Sequence, residues 1–389
     1  MMKPISRRQA LTAGAALGVG AAGAGALLTP EVASAAPSDA LGAAYGTGPF
    51  VAEERRSLDE LYQAAKAEGG ELVVYAGGDV ASQQAGTVAG FGQQFPDIKL
   101  TMVVDYSKFH DVRIDNQIAT GQLIPDVTHL QTLEDFTRWK QQGRLLNYKP
   151  AGFSKLYDAF KDPEGAWVAI GVIAFSFLYN SATLTGTPPS NPEQLADPRF
   201  KDLIASSYPN DDDAVLYLYS LYAQAYGWDW IARMAEQQVQ FGRGTNSPGA
   251  AMSSGAKSIG VGAAGSLVSS ASNAVKFVVA DHHPFMAWGQ RAAIFKQAAH
   301  PAAAKLYLNW QLSAAVQLKA FNGWSVRTDV KPAGDLPPIW TYPNAHLDGF
   351  PRFMADRATA ERFRQTFSLY FGEVQGPPSP GWLGLYPGR

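Results

Sequence analysis

Short apolar runs alternate with segments of helical periodicity in the first half of this chain, and that alternation limits the folds open to it. The run at residues 72–75 is apolar on both faces, which is typical of a strand in a parallel sheet covered on both sides. Apolar residues recur with helical spacing before it, at 57–67, and after it, at 82–95. Strands predicted at 98–104 and 126–130 continue the series, so we expect an α/β doubly wound arrangement. Two more helices are predicted, at 109–120 and 133–142.

A long apolar run at residues 167–179 has no helix-capping residues and is predicted to form one or two strands that carry the chain out of a first lobe. A returning strand is expected at 276–281. Because the chain then crosses twice between two lobes, the crossings would form a hinge. We predict lobe one at 71–172 together with 282–389, and lobe two at 173–281. The helices expected in this part of the chain lie at 192–195, 213–226, 228–238, 301–312 and 314–321.

The N-terminus has the three parts of a secretory signal peptide, predicted at residues 1–35. A charged start precedes an Ala/Gly/Leu-rich stretch, and small residues at 33–35 supply a cleavage site. Arg7 and Arg8 follow Ser6 as in a twin-arginine signal, although Ala10 stands where that motif has a bulky apolar residue. Residues 36–70 are expected to form a leader and a first helix. The alternative, a membrane anchor, is disfavoured by the low hydrophobicity of the stretch.

The composition excludes several classes of protein. The chain has no cysteine, which rules out disulfides, thiolate metal sites and a lipid-anchored cysteine. Its net charge is −2, so we expect no nucleic-acid partner. The sequence therefore predicts an exported, periplasmic or secreted protein that is not lipid-anchored.

Several segments resemble the extracellular solute-binding proteins of ABC importers, which have the type II periplasmic binding protein fold. Residues 124–127 read Ile-Pro-Asp-Val, residues 175–181 match the strand that ends in Tyr-Asn, and residues 191–204 and 300–317 are similar to helical segments of that family. The order of these segments is closest to the branch that contains ferric-iron binders. The resemblance implies two lobes, each a mostly parallel sheet flanked by helices, joined by a two-crossing hinge.

The same resemblance implies a function. A small ligand or metal chelate would be captured in the cleft between the lobes and delivered to the permease subunits of an ABC importer. The protein would be a monomer, would need no cofactor and would not be an enzyme. The alternative is a secreted hydrolase on the same two-lobed fold, but the chain has neither a Gly-x-Ser-x-Gly nor a His-Glu-x-x-His motif.

Iron binders of this branch hold the metal through consecutive tyrosines, and residues 260–267 of this chain contain none. Asp79 also stands where iron binders often have a histidine. Because ferric iron needs several hard anionic oxygen ligands, the ligand stays open among a metal–anion chelate, a small carboxylate or phosphonate, and a polyamine-like cation. Residues 260–270 are predicted to be a flexible loop that leaves room for an organic ligand.

Ligands of such sheets bind at the carboxyl ends of parallel strands, so the loop after the first strand is the first candidate for a ligand-binding segment. Gly77 and Gly78 permit close backbone approach to a ligand. Asp79 would either contact the ligand or cap the next helix.

The loop after the third strand supplies His129, Gln131 and Thr132. His129 would either face the cleft as a hydrogen-bonding group or lie half-buried with its own partner. Gln131 and Thr132 add hydrogen-bonding groups beside it.

A third candidate segment contains Tyr208, Asp211 and Asp212, at the start of a predicted helix. Adjacent carboxylates repel one another unless the helix N-terminus or a cationic ligand offsets the repulsion. The alternative is a solvated acidic helix start.

The fourth candidate segment contains Arg243, Thr245, Asn246 and Ser247 before a predicted helix. These short polar residues would hold a carboxylate or phosphate, with which Arg243 would pair. The alternative is ordinary helix capping, although the resemblance implies ligand contact at this place.

Overall fold

Strand β1 (Glu71–Gly77) lies between two parallel neighbours, β2 (Lys99–Asp105) and β3 (Val127–Leu130), in a computed structural model that describes residues 51–268, 273–319 and 323–388. Val74 and Tyr75, which lie on opposite faces of β1, are both fully buried, as a strand covered on both faces requires. The three strands predicted in this region are confirmed. The predicted signal peptide and the first part of the leader fall outside the described residues.

The helices predicted around these strands are also confirmed, with ends that shift by at most three residues. Helix α1 (Leu58–Glu68) begins after Ser57, whose side chain and that of Glu60 form a reciprocal capping box. A short 3₁₀ turn precedes α2 where a continuous helix was predicted. The other helices of this region are α2 (Ala85–Gln94), α3 (Ser107–Ala119) and α4 (Leu133–Gln141).

Two long strands, β4 (Val168–Asn180) and β9 (Met286–Ile294), run through the middle of the sheet. They pair antiparallel with each other, and β9 also pairs antiparallel with β3. The far end of β4 pairs antiparallel with two more strands. The remaining strands are β5 (Ile204–Ser207), β6 (Gln240–Gly242), β7 (Ile259–Ala264) and β8 (Val275–Val278).

The strand order among the described residues is β2-β1-β3-β9-β4-β7-β5-β6, with β8 paired to β4. Parallel pairs lie at the two ends, where β1 joins β2 and β3, and β5 joins β6 and β7. The α/β fold class is confirmed, and the sheet as a whole is mixed because β4 and β9 run antiparallel between the two parallel ends.

Helix α5 (Asp213–Tyr226) has the predicted bounds, because Asp212 caps its start and Gly227 follows its end. The prediction of a flexible loop at residues 260–270 is wrong over β7, where five of six residues are buried. The other helices are α6 (Trp228–Glu236), α7 (Ser247–Ser253), α8 (Pro301–Gln311), α9 (Ala314–Gln317), α10 (Gly349–Ala355) and α11 (Arg357–Phe371). No helix in the described ranges is long and apolar enough to cross a membrane.

Two large buried clusters cover the sheet. One joins α1, β1 and α8 through residues such as Leu61, Val74 and Leu306. The other surrounds α5 and includes Phe350 of α10 and Phe367 of α11. The last two helices therefore pack with a segment assigned to lobe two, although their residues were assigned to lobe one. The division into two lobes stays a prediction.

Candidate functional site

The loops at the carboxyl ends of β1, β2 and β3 line one cavity of about 120 Å³. Gly77, Gly78 and Asp79 come from the first loop, residues 106–108 from the second, and Gln131 from the third. This position agrees with the rule that ligands of parallel sheets bind at carboxyl strand ends.

The opposite side of the cavity comes from the start of α5 and the segment before α7. Asp211, Asp212 and Asp213 line it at α5, and Gly244 and Thr245 line it before α7. The cavity thus joins loops from both parallel ends of the sheet.

Side chains of the two central strands form an apolar and aromatic wall. Ile173 and Phe175 come from β4, and Trp288 and Gln290 come from β9. The Trp288 ring nitrogen donates to Gln290 Oε1 at 3.0 Å, which fixes both side chains. The cavity therefore combines a rigid apolar wall with carboxylates and amides, a composition common in ligand sites.

Asp79 connects the two sides of the cavity. Its Oδ2 accepts hydrogen bonds from the backbone N–H of Thr245 at 2.9 Å and from the Thr245 hydroxyl at 2.6 Å. Burial raises the pKa of Asp79, although the hydrogen bonds from Thr245 act in the opposite direction. Gly244 has a φ of +79°, and a Cβ there would lie 2.9 Å from Cβ of Asp79, so only glycine allows this approach.

Asp212 has two structural partners. Its Oδ1 accepts from the backbone N–H groups of Ala214 and Val215 and so caps α5, while its Oδ2 accepts from Gln131 Nε2 at 2.8 Å. Burial, and next the charge of Asp79, raise the pKa of Asp212 to about 7. Asp212 is thus a half-buried carboxylate whose surroundings disfavour its ionised form.

Asp211 is compensated by two cations. Lys108 Nζ donates to its carboxylate and its backbone oxygen, and Arg243 donates through Nε at 3.0 Å and Nη2 at 3.2 Å. Burial opposes ionisation of Asp211, but these cations outweigh it and lower its pKa. The neighbouring Asp213 pairs with Arg364.

Seven of the residues predicted from sequence come together at the cavity: Gly77, Gly78, Asp79, Gln131, Asp211, Asp212 and Thr245. Arg243 does not line the cavity itself but contacts two residues that do, Asp211 and the ring of Tyr106. Asn246 and Ser247 lie at the start of α7, where the Ser247 hydroxyl donates to Gly244 O at 2.9 Å. The ligand-binding role of the set stays a prediction.

Three other predicted residues do not line the cavity. His129 is buried and its Nε2 lies 3.2 Å from the Tyr307 hydroxyl; burial lowers its pKa to about 4. Thr132 is buried just before α4. Tyr208 is buried and stacks on Phe241 at 5.2 Å between ring centroids.

Sequence reasoning missed several lining residues. Tyr106, Ser107 and Lys108 follow β2 directly, so the rule applied to the first and third strands would also have found them. Trp288 and Gln290 lie within β9, a strand that was not predicted.

The described residues contain no group of three or more His, Asp or Glu side chains arranged to hold a metal ion. Although four carboxylates line the cavity, Asp211 and Asp213 are already engaged by Lys and Arg side chains. The donor set that ferric iron requires is therefore not assembled by the side chains of this part of the chain.

Solved structures of similar fold are substrate-binding proteins. The substrate-binding protein of an ABC transporter from Agrobacterium tumefaciens aligns with a TM-score of 0.65 and 16% identity, over 78% of this chain and 96% of that one. AfuA from Actinobacillus pleuropneumoniae, with fructose-6-phosphate bound, aligns with a TM-score of 0.62 and 17% identity, over 78% of this chain and 99% of that one. Iron-bound HitA from Pseudomonas aeruginosa aligns with a TM-score of 0.60 and 15% identity, over 76% of this chain and 99% of that one. At these identities the likeness shows the fold.

No curated protein matches the chain with significant sequence similarity. The family model described as "Bacterial extracellular solute-binding protein" matches residues 124–319, which is half of the chain and includes β3, β4, β9 and the cavity residues Gln131, Asp212 and Thr245. This chain therefore belongs to the bacterial extracellular solute-binding proteins.

Proposed function

We propose that the cavity bounded by Asp79, Asp212 and Trp288 is the place where this solute-binding protein captures its ligand for an ABC importer. The observation that carries the proposal is the convergence of polar loop residues from both parallel ends of the sheet on one cavity. Its position at carboxyl strand ends supports the same assignment.

We propose further that the two predicted lobes, 71–172 with 282–389 and 173–281, close around the ligand. β4, which spans residues 172 and 173, and the segment that leads into β9 are the connections between them, and the Asp79–Thr245 hydrogen bonds join loops from the two sides. A ligand that contacts both sides binds the closed arrangement better than an open one, so its binding energy would favour closure.

The proposal includes the setting in which capture takes place. The signal peptide predicted at residues 1–35 would export the protein, by a twin-arginine route, to the periplasm or beyond the cell, without a lipid anchor. The partners would be the permease subunits of the importer, and the protein would act as a monomer. The hydrolase alternative has no support from the family, whose members bind solutes.

Native mass spectrometry, with metal analysis, of the mature protein purified from its own host tests the proposal. We expect a bound small molecule on the wild type and its loss in Ile173→Trp, which fills the cavity from β4. The control Val112→Trp adds the same side chain at an exposed position of α3 and should keep the ligand. A bound molecule retained equally by both variants would place the ligand site elsewhere.

A further inference from the structure

We propose that the cavity takes a small organic cation that carries an ammonium or guanidinium group. This inference rests on the cavity being the ligand site, as proposed above, and it adds the chemical class of the ligand. The observations behind it are the charges of the cavity and its aromatic wall.

The carboxylates of the cavity differ in their partners. Asp211 has two cations, Lys108 and Arg243, and Asp213 has Arg364. Asp79 and Asp212 accept hydrogen bonds only from neutral donors, and neither lies within ion-pair distance of a Lys or Arg in the described residues. The cavity thus contains two carboxylates whose charge is not compensated.

Uncompensated carboxylates of this kind are costly when water is excluded from them. Asp79 is 7% exposed, and Asp212 faces the same cavity. Burying a carboxylate without a counter-charge disfavours its ionised form, whereas a nearby cation restores it. A cationic ligand would therefore be attracted by both groups, and an anionic ligand would add a third negative charge beside them.

The wall of the cavity favours an organic cation over a bare metal ion. Phe175 and Trp288 line the cavity, and aromatic ring faces attract cations. The ring of Tyr106 also lines the cavity, but Lys108 and Arg243 already lie 5.7 and 5.8 Å from its centroid. Carboxylate oxygens accept hydrogen bonds, so an ammonium or guanidinium group with N–H donors fits Asp79 and Asp212 better than a quaternary nitrogen. Lys108 does not oppose this, because its own charge is engaged by Asp211.

The test is isothermal titration of the mature protein, freed of bound ligand, with agmatine and putrescine as cationic probes. We expect at least one of them to bind, and Asp79→Asn and Asp212→Asn each to weaken that binding by about tenfold or more. Asparagine keeps the size and one acceptor oxygen of aspartate, so the cap of α5 is retained. The control Asp158→Asn removes a carboxylate that is 96% exposed and should leave binding unchanged.

Fructose 6-phosphate and ferric citrate serve as anionic and iron-containing comparators in the same titrations. If either binds more tightly than both cations, the cationic class is overturned while the receptor proposal stands. If no probe binds, the molecule found by native mass spectrometry is the test of the cationic class. A molecule with a basic nitrogen supports the inference, and a molecule without one overturns it. Cation binding that both Asn variants retain in full would also overturn it.

Discussion

The carboxylate of Asp79 accepts two hydrogen bonds from Thr245, a residue that lies 166 positions further along the chain. The contact joins the loop after β1 to the segment before α7 across the cavity that Asp212 also lines. The contact therefore joins both sides of the cavity, and the hydrogen bonds from Thr245 favour the ionised form of Asp79.

Replacing Thr245 with valine should loosen this connection. The variant keeps the backbone donor but loses the hydroxyl, so we expect the free energy of unfolding to fall by about 1–2 kcal/mol. We also expect faster dissociation of the bound ligand, measured by stopped-flow fluorescence of the tryptophans. Thr366→Val is the control, because the Thr366 hydroxyl contacts only its own helix at an exposed position. Equal dissociation rates in the two variants would contradict a role for this contact in retaining ligand.

Asp212→Asn should stabilise the empty protein at alkaline pH. The pKa of Asp212 is raised from 3.8 to about 7 in the folded state, so its contribution to stability is complete below pH 4 and is lost as the pH rises through 7. Asp79, Asp213 and Gln131 face this carboxylate and also determine its titration. Since asparagine retains the cap of α5, the variant avoids that loss. At pH 8 its free energy of unfolding should exceed that of the wild type by about 1 kcal/mol or more, and it should unfold at a higher temperature.

At pH 5 the same two proteins should differ much less, because Asp212 of the wild type is then largely protonated. Thermal unfolding at pH 5 and pH 8 measures the difference. A variant that is less stable than wild type at both values would mean that the Asp212 carboxylate makes a stabilising ionic contact.

Arg243→Ala separates a cationic from an anionic ligand. Arg243 is bonded to Asp211 in a largely buried pair, so its removal should lower the free energy of unfolding by about 1–3 kcal/mol. A cationic ligand does not need Arg243, and agmatine affinity should stay within about threefold of wild type. A weaker affinity for an anionic ligand in this variant would instead support the prediction that Arg243 pairs with a carboxylate or phosphate.

Gln117 of α3 connects the C-terminal tail to the sheet. Its Nε2 donates to Leu385 O at 2.7 Å and to the Tyr75 hydroxyl at 3.0 Å, and its Oε1 accepts from Ile124 N–H at 3.1 Å. Gln117→Leu leaves buried polar groups unpaired and should cost about 2–3 kcal/mol. We also expect faster proteolysis within the tail. The exposed Gln375→Leu is the control, and equal stability of the two variants would show that the tail does not depend on Gln117.

The sequence predicts an element well where local signals agree with burial. Helix α5 has both of its predicted bounds because Asp212 caps it and Gly227 follows it. Strand β1 is found because Leu72 and Val74 are apolar and buried. In these elements, local preference and tertiary packing favour the same structure.

Strands β7 and β9 were not predicted because contacts with distant parts of the chain, rather than local sequence pattern, stabilise them as strands. In β7, a Cβ at Gly262 would lie 2.9 Å from Val215 of α5, so the strand is glycine-rich where α5 packs closely. In β9, the buried Arg291 lies over the Trp167 ring at 3.8 Å and donates to Leu133 O. A buried arginine breaks the apolar pattern from which strands are recognised.

The candidate site was predicted only in part, for a related reason. The rule for carboxyl strand ends finds Asp79 and Gln131 because both follow strands that the sequence reveals. It cannot find Trp288 within an unrecognised strand. It also cannot show that Thr245 contacts Asp79, since that pairing depends on how distant segments meet.

A crystal structure of the protein carrying the ligand with which it is purified tests the central claim most directly. We expect electron density for a small molecule in the cavity, with a basic nitrogen within hydrogen-bond distance of Asp79 or Asp212 and an apolar part against Trp288. Density for a ligand outside this cavity would contradict the assignment of the site. An anionic group or an iron ion placed against Asp79 and Asp212 would contradict the cationic class.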